Sequence, residues 1–178
     1  PFGTASRKAA LLRGSFVHRL FEILPDLPAS DRWTAAGRIA EIMGMRDTGF
    51  DKPAAFSAEE IKNLFEAVEE VMNLPELSSL FGGNALAEAD ISGLVGGMAV
   101  QGQIDRMVVL EDKIIIADFK TGLPPKELDD PAQIPLAYLR QMALYGALVS
   151  QIYPDREVEC LLIWTQIMKV SLVPAQMR

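Results

Sequence analysis

The segment QGQIDRMVVLEDKIIIADFK, residues 101–120, decides the fold. Two runs rich in β-branched and apolar residues flank the polar pair Glu111-Asp112, a pattern typical of a β-hairpin. If the turn is symmetric about that pair, Asp105 faces Asp118 across the hairpin, with side chains about 5 Å apart. The segment therefore predicts two strands that bring two carboxylates to one spot.

The alternation of side chains along a strand assigns each residue of this hairpin to a face. Lys120 lies on the face of Asp118, because the two residues are two positions apart. We expect the opposite face to be apolar and to form the core side, with Ile104, Val108, Ile115 and Phe119. The hairpin thus predicts a polar face with two aspartates and a lysine.

Two facing carboxylates destabilise a sheet unless a proton or a cation lies between them. Mg²⁺ and Mn²⁺ bind hard oxygen ligands, often one or two carboxylates together with waters and phosphate oxygens. Asp105 and Asp118 therefore suit a divalent cation, and Lys120 adds a positive charge for a phosphate or an attacking water. The charge pattern alone also allows a solvated hairpin face on which Asp118 and Lys120 neutralise each other.

The remaining sequence predicts helices first, then strands around one further helix. A helix is indicated from about Thr4 to Leu24 by apolar residues at helical spacing, with Pro25 ending it. Ser57-Ala58-Glu59-Glu60 is a capping box that starts a later helix. The other predicted elements are a helix over Asp31–Met45, strands near 86–92, 98–110 and 113–120, a helix near 134–152, and strands over Glu157–Thr165 and Lys169–Val173. This order predicts an α/β or α+β fold.

Length, charge and cysteine content limit the classes of protein that fit. A chain of 178 residues suits one domain, and no apolar run approaches the roughly 20 residues that span a bilayer. A signal peptide is not expected, and one cysteine, Cys160, fits a reducing, cytoplasmic setting and a small buried hydrophobe. The net charge of −7 argues against a simple DNA-binding module, but less against a nuclease whose carboxylates bind cations.

Four motifs in order along the chain resemble those of RecB-like nucleases in the PD-(D/E)xK superfamily. Ile104-Asp105-Arg106 and Asp118-Phe119-Lys120-Thr121-Gly122 are similar to the signatures G-x-I-D-R and D-[YF]-K-T-G. Residues 13–22 are similar to a G-x-x-x-H-x-x-x-E helix, and residues 141–145 to a Q-x-x-x-Y helix. The resemblance implies a restriction-endonuclease-like α/β core, a mixed central sheet flanked by helices, preceded by an N-terminal helical part.

The resemblance also implies a set of site residues. Metal ligands would be His18, Asp105, Asp118 and the main-chain carbonyl of Phe119, and Lys120 would be catalytic. Gln141 and Tyr145 would arrange the site or the DNA. Glu22 and Glu88 are possible additional ligands.

Each of these residues also has an ordinary structural interpretation. His18 on its helix is also explained as a structural histidine, and Glu22 as a surface charge beside Arg19. Tyr138, Gln141 and Tyr145 share one helical face, which is common in half-buried packing. The basic residues Arg106, Lys126 and Arg140 are candidate phosphate contacts or solvated surface charges.

The implied function is Mg²⁺-dependent hydrolysis of DNA phosphodiester bonds, with Mn²⁺ or Ca²⁺ able to occupy the same site. Within the family the chain most resembles the C-terminal nuclease domain of AddA subunits of bacterial helicase-nucleases, which process double-strand breaks. That likeness implies exonucleolytic action on single-stranded DNA, an AddB-like partner subunit, the rest of a helicase chain, and no iron-sulfur cluster. The alternatives are a stand-alone RecB-like exonuclease and an inactive nuclease-like scaffold or DNA-binding domain.

We expect residues 1–178 to form one nuclease domain excised from a longer chain. Residues 1–85 would be its mainly helical part with His18. Residues 86–178 would be its sheet core with Asp105, Asp118 and Lys120.

Overall fold

The structure is a computed structural model that describes residues 2–45, 56–127 and 130–174. The chain divides into two compact units, Pro1–Pro75 and Glu76–Arg178. The boundary lies ten residues before the first strand, which begins at Ala85. A 3₁₀ helix over Pro75–Phe81 leads into that strand. That residues 1–178 act as one nuclease domain stays a prediction.

The first unit contains three α-helices. Helix α1 spans Phe2–Ile23 and is followed by a 3₁₀ turn over Leu24–Asp26 that contains Pro25. Helices α2 and α3 span Ala29–Ile42 and Ala58–Met72. All three predicted helices are confirmed, with ends shifted by one to three residues where the prediction gave them. The capping box at the start of α3 is formed: Ser57 Oγ accepts from the Glu60 amide at 3.1 Å, and a Glu60 carboxylate oxygen accepts from the Ser57 amide at 2.8 Å.

The second unit is a five-stranded sheet with one long helix. The strands are β1 (Ala85–Val95), β2 (Met98–Val109), β3 (Lys113–Lys120), β4 (Glu157–Trp164) and β5 (Lys169–Val173), and α4 spans Leu136–Ile152. The spatial order is β1-β2-β3-β4-β5, with β3 and β4 parallel and the other neighbours antiparallel. The sheet is mixed because it contains both parallel and antiparallel neighbours, and α4 is the crossover between the two parallel strands. The predicted α/β fold with N-terminal helices is confirmed.

The register of the β2–β3 hairpin is the one predicted. The amide of Leu110 donates to the Lys113 carbonyl at 2.9 Å, and the ladder runs from Val109–Ile114 to Arg106–Ala117. The paired ladder ends there, and Asp105, the next residue of β2, contacts β3 by accepting a hydrogen bond from the Phe119 amide. The turn at Glu111-Asp112 therefore sets the position of both carboxylates.

The predicted division of the hairpin into one polar and one apolar face was wrong. Helix α4 packs against the face that carries Asp118, where Met107, Ile114 and Ile116 belong to the hydrophobic core. Ile104 belongs to that same core, whereas Val108, Ile115 and Phe119 are buried as well. Both faces are covered because β3 lies in the middle of a mixed sheet, where strands read as continuous apolar runs.

The position of Cys160 is the one that the sequence predicted. Cys160 is fully buried in β4, with its sulfur 3.7 Å from the Met142 carbonyl oxygen, as expected for a small core residue. Within the described ranges, no helix is both long enough and apolar enough to cross a membrane.

Candidate active site

The Asp105 carboxylate is held by the backbone of the neighbouring strand. Asp105 lies half-buried in β2, and its Oδ2 accepts a hydrogen bond of 2.8 Å from the amide of Phe119 in β3. Phe119 stands between Asp118 and Lys120 in sequence, so this bond fixes Asp105 beside both. The local geometry thus comes from the hairpin itself.

Glu88 lies opposite Asp105 in β1, the neighbour of β2 on the side away from β3. Ala87 pairs with Arg106 and Ala89 with Ile104, while Glu88 between them has a φ of 49°, in the left-handed region. A non-glycine residue in that region costs on the order of 1 kcal/mol or more, and such residues cluster at functional sites. Carboxylate oxygens of Glu88 and Asp105 lie within 4.8 Å of each other. Glu88, a possible additional ligand in the sequence analysis, therefore lies beside Asp105.

Asp118 and Lys120 form a buried ion pair at the end of β3. Their side chains are 8% and 11% exposed, and Lys120 Nζ contacts Asp118 Oδ2 directly. The interpretation of this face as a solvated surface was therefore wrong, although the two charges do pair. A buried ion pair is costly to desolvate unless further polar contacts support it.

Helix α4 and the residue that follows β4 supply further contacts to Lys120. Lys120 Nζ donates to Gln141 Oε1 at 3.2 Å, and Nζ lies 4.0 Å from the centre of the Tyr138 ring. The Lys120 carbonyl accepts from the Thr165 amide at 3.1 Å and from its hydroxyl at 3.3 Å. Tyr138 was predicted to share a helical face with Gln141, whereas the contact of Thr165 with Lys120 was not predicted, because contacts between β3 and the end of β4 leave no periodic signal.

Tyr145 contacts β2 just before Asp105. Its hydroxyl oxygen accepts a hydrogen bond of 3.3 Å from the Gln103 amide. A Cβ atom added at Gly102 would lie 2.1 Å from that oxygen, so only glycine admits the tyrosine there. Tyr145 thus contacts the strand that carries Asp105.

Comparison with known proteins assigns the family. A model of the PD-(D/E)XK nuclease superfamily matches residues 3–170, which includes every site residue described above. The chain belongs to the PD-(D/E)XK nuclease superfamily. This membership implies a metal-dependent nuclease.

The comparison with solved structures gives a match of low sequence identity. A solved structure titled "Crystal structure of SSO0001" is 15% identical, with a TM-score of 0.35, and the match covers 88% of this chain and 65% of that one. This nuclease-superfamily chain therefore spans less than two thirds of that protein's length. No curated protein gives a significant match.

The predicted ligands from the N-terminal part lie on α1 of the first unit. His18 is half-buried, and Glu22 forms an ion pair with Arg19, as the surface-charge interpretation expected. The metal roles of His18 and Glu22 in this superfamily member stay predictions.

Arg106 is neither a solvated charge nor an accessible phosphate contact. It is 1% exposed, and its guanidinium lies 5.5 Å from the centre of the Phe81 ring, which in turn stacks on Phe119 with centres 6.2 Å apart. The interpretation as a solvated charge or a phosphate contact was therefore wrong, since contacts with Phe81 far back in the sequence bury the guanidinium. Lys126 and Arg140 are exposed, so they remain available to a phosphate backbone.

The donor set of the second unit fits the divalent metal that the superfamily uses. Glu88 and Asp105 offer hard oxygen atoms close together, and Asp118 carries a further carboxylate at the end of β3; such oxygen atoms are the ligands of Mg²⁺ and Mn²⁺ sites. No thiol or second imidazole competes, because the chain has one histidine and one cysteine, and that cysteine is in the core. The residues present therefore suit a hard cation.

Proposed function

We propose that this chain hydrolyses DNA phosphodiester bonds with Mg²⁺ at the Asp105–Asp118 end of the hairpin. The observation that supports the proposal is the convergence of Glu88 and Asp105 carboxylates beside the buried Asp118–Lys120 pair. Asp118-Phe119-Lys120 also supplies the D-x-K part of the superfamily motif. A chain that had kept only the fold would not need these costly groups together.

Asp105 and Asp118 would hold the cation, with the carbonyl of Phe119, His18 and Glu88 as further ligands. When bound, the cation supplies positive charge beside the scissile phosphate and lowers the pKa of a water ligand. Asp105 is oriented for such a role because the Phe119 amide fixes the position of its carboxylate. The ligand roles of His18, Glu22 and the Phe119 carbonyl rest on the motifs alone.

Lys120 would place a positive charge on the phosphate or orient the attacking water. Its ammonium has three donor positions; two of them face Asp118 and Gln141, and the ammonium lies over the ring of Tyr138. Gln141 thereby orients Lys120, and Tyr145 supports the β2 strand that presents Asp105. Such preorganisation is what electrostatic stabilisation of a transition state requires.

The biological setting belongs to the same proposal. The four motifs in order favour an AddA-type nuclease domain that degrades single-stranded DNA delivered by a helicase, in bacterial double-strand break repair. Its partners would be an AddB-like subunit and the remainder of a helicase chain, in the cytoplasm. The motif order supports this assignment; the fold is common to the wider superfamily.

The test is cleavage of end-labelled single- and double-stranded DNA with and without Mg²⁺. We expect Mg²⁺-dependent cleavage that favours single strands, and a loss of at least about 100-fold in Asp118→Asn, since the carboxylate oxygen and its charge are removed. Asp112→Asn, at the exposed hairpin turn, is the matched control and should cleave like wild type. Equal cleavage by wild type and Asp118→Asn would overturn the proposed site.

A further inference from the structure

Lys120 rests on an aromatic column that no motif of the sequence describes. The Tyr138 ring lies under its ammonium, with Nζ 4.0 Å from the ring centre. Tyr138 packs on Trp164, with ring centres 6.1 Å apart and an interplanar angle of 57°. The Trp164 indole donates to Ser171 Oγ at 3.0 Å, which fixes the far end of the column in β5.

The end of this column at Trp164 and Ser171 is rigid. Trp164 is fully buried and pairs directly with Lys120 in the parallel β3–β4 ladder. Ser171 is buried as well, so the indole hydrogen bond is shielded from water. Tyr138 thus has a fixed partner on one side and the lysine ammonium on the other.

The ring face attracts the ammonium electrostatically. A cation over an aromatic face is stabilised by the ring quadrupole, and the effect grows as the site loses water. Lys120 is 11% exposed, so the contact is largely desolvated. The hydrogen bond to Gln141 sets one direction of the ammonium, and the ring limits movement in another.

We propose that Tyr138 is a positioning residue that holds the Lys120 ammonium at the active site through its ring face. The proposal rests on the proposed function in taking Lys120 as the group that acts on the phosphate. Tyr138 acts on the reaction through Lys120, so its loss should lower kcat more than it changes KM. Its phenol oxygen is not needed for this role.

The test measures kcat and KM of DNA cleavage by variants of the whole chain that carry substitutions at position 138. Tyr138→Phe keeps the ring and should retain cleavage within about threefold, whereas Tyr138→Leu should lose roughly tenfold or more in kcat with little change in KM. Pentafluorophenylalanine at position 138 keeps the ring shape but reverses the quadrupole, so it should behave like Tyr138→Leu. Wild-type kcat in the fluorinated variant would overturn the proposal, because plain packing depends on shape alone.

A matched control lies at the end of the same helix. Arg156 rests on the Tyr153 ring, with its guanidinium carbon 5.8 Å from the ring centre. Tyr153 belongs to none of the contacts around Lys120, so fluorination there should leave kcat unchanged. A drop of the same size at position 153 would show a general effect of fluorination and contradict the role of Tyr138.

A second readout is independent of cleavage. The Tyr138 ring current should shift the NMR signals of the Lys120 ε-methylene upfield, and Tyr138→Leu should abolish that shift. An unshifted signal in wild type would overturn the inference whether or not the chain cleaves DNA. A shifted signal in a chain that cleaves no DNA with Mg²⁺ would instead remove the proposed function and leave the contact in place.

Discussion

At the scale of single residues, Glu88 combines a left-handed backbone with a carboxylate close to that of Asp105. Its left-handed φ places a carboxylate within 4.8 Å of the Asp105 carboxylate in the middle of an otherwise regular β1–β2 ladder. Gln103 Nε2 donates to the Glu88 carbonyl at 3.3 Å, which supports the unusual backbone. Strain of this kind persists where the surroundings enforce it, and it is often found at functional sites.

Substitution of Glu88 should separate stability from metal affinity. Glu88→Gly relieves the left-handed strain and should raise the free energy of unfolding by about 1 kcal/mol, while it weakens Mn²⁺ binding about tenfold or more. Glu88→Gln keeps the strain and should lose metal affinity without gaining stability. Calorimetric titration with Mn²⁺ and denaturant unfolding measure the two effects. Unchanged Mn²⁺ affinity in both variants would remove Glu88 from the site.

At the scale of elements, the hairpin register was predictable and the covering of its faces was not. A two-residue turn determines which residues face each other, so Asp105 and Asp118 could be placed from sequence. Alternation gives two faces but does not say which one a helix covers, and here α4 covers the face of Asp118. The run Ile114-Ile115-Ile116 was the available signal, because strands buried on both faces lack alternation.

The surroundings of the site depended on contacts that sequence periodicity does not encode. Arg106 is buried beside Phe81, and Tyr138 contacts Lys120 from helix α4. A positive φ at a glutamate has no sequence signature either, since the left-handed region is usually taken by glycine, asparagine or aspartate. The resemblance of motifs predicted Gln141 and Tyr145 as site residues. Their hydrogen bonds to Lys120 and Gln103 became visible only in the structure.

Gly102 should be essential for the contact between α4 and β2. In Gly102→Ala the new methyl carbon would meet the Tyr145 hydroxyl oxygen at 2.1 Å and two of its ring carbons at 2.6 Å. The ring must move, so we expect a loss of about 1–3 kcal/mol in the free energy of unfolding, measured in urea. Tyr145→Leu in the same chain should recover part of that loss.

The matched control for this prediction is Gly83→Ala. A Cβ atom at Gly83 would have nothing within 4 Å, so its unfolding midpoint should stay close to that of wild type. A Gly102→Ala variant as stable as wild type would contradict the prediction, because it would show that β2 and α4 can accommodate the added methyl group.

At the scale of the whole molecule, the proposed function requires an acidic chain to bind a polyanion. The sequence has 17 lysine and arginine residues against 24 aspartate and glutamate residues. Bulk electrostatics therefore oppose DNA binding, and the carboxylates of the site oppose it most where the phosphate must come. Cations bound by those carboxylates would reverse the local sign, so affinity for DNA and affinity for metal should be linked.

DNA binding by the isolated chain should therefore be weak, sensitive to salt and dependent on a divalent cation. By fluorescence anisotropy with Ca²⁺ we expect a Kd of about 10⁻⁴ M for single-stranded DNA at physiological salt, and no measurable binding in EDTA. Tight binding in EDTA at that salt concentration would contradict this account.

Removing the site carboxylates should make binding independent of metal. In Asp105→Asn/Asp118→Asn the repulsion at the site falls by two charges, so DNA should bind more tightly in EDTA than it does to wild type, and Ca²⁺ should add little. Glu111→Gln/Asp112→Asn makes the same change in net charge at the exposed hairpin turn. That control should keep the Ca²⁺ dependence of wild type, because the metal acts where the carboxylates converge. If both double variants bound alike in EDTA, net charge alone would govern binding and the linkage between metal and DNA would be wrong.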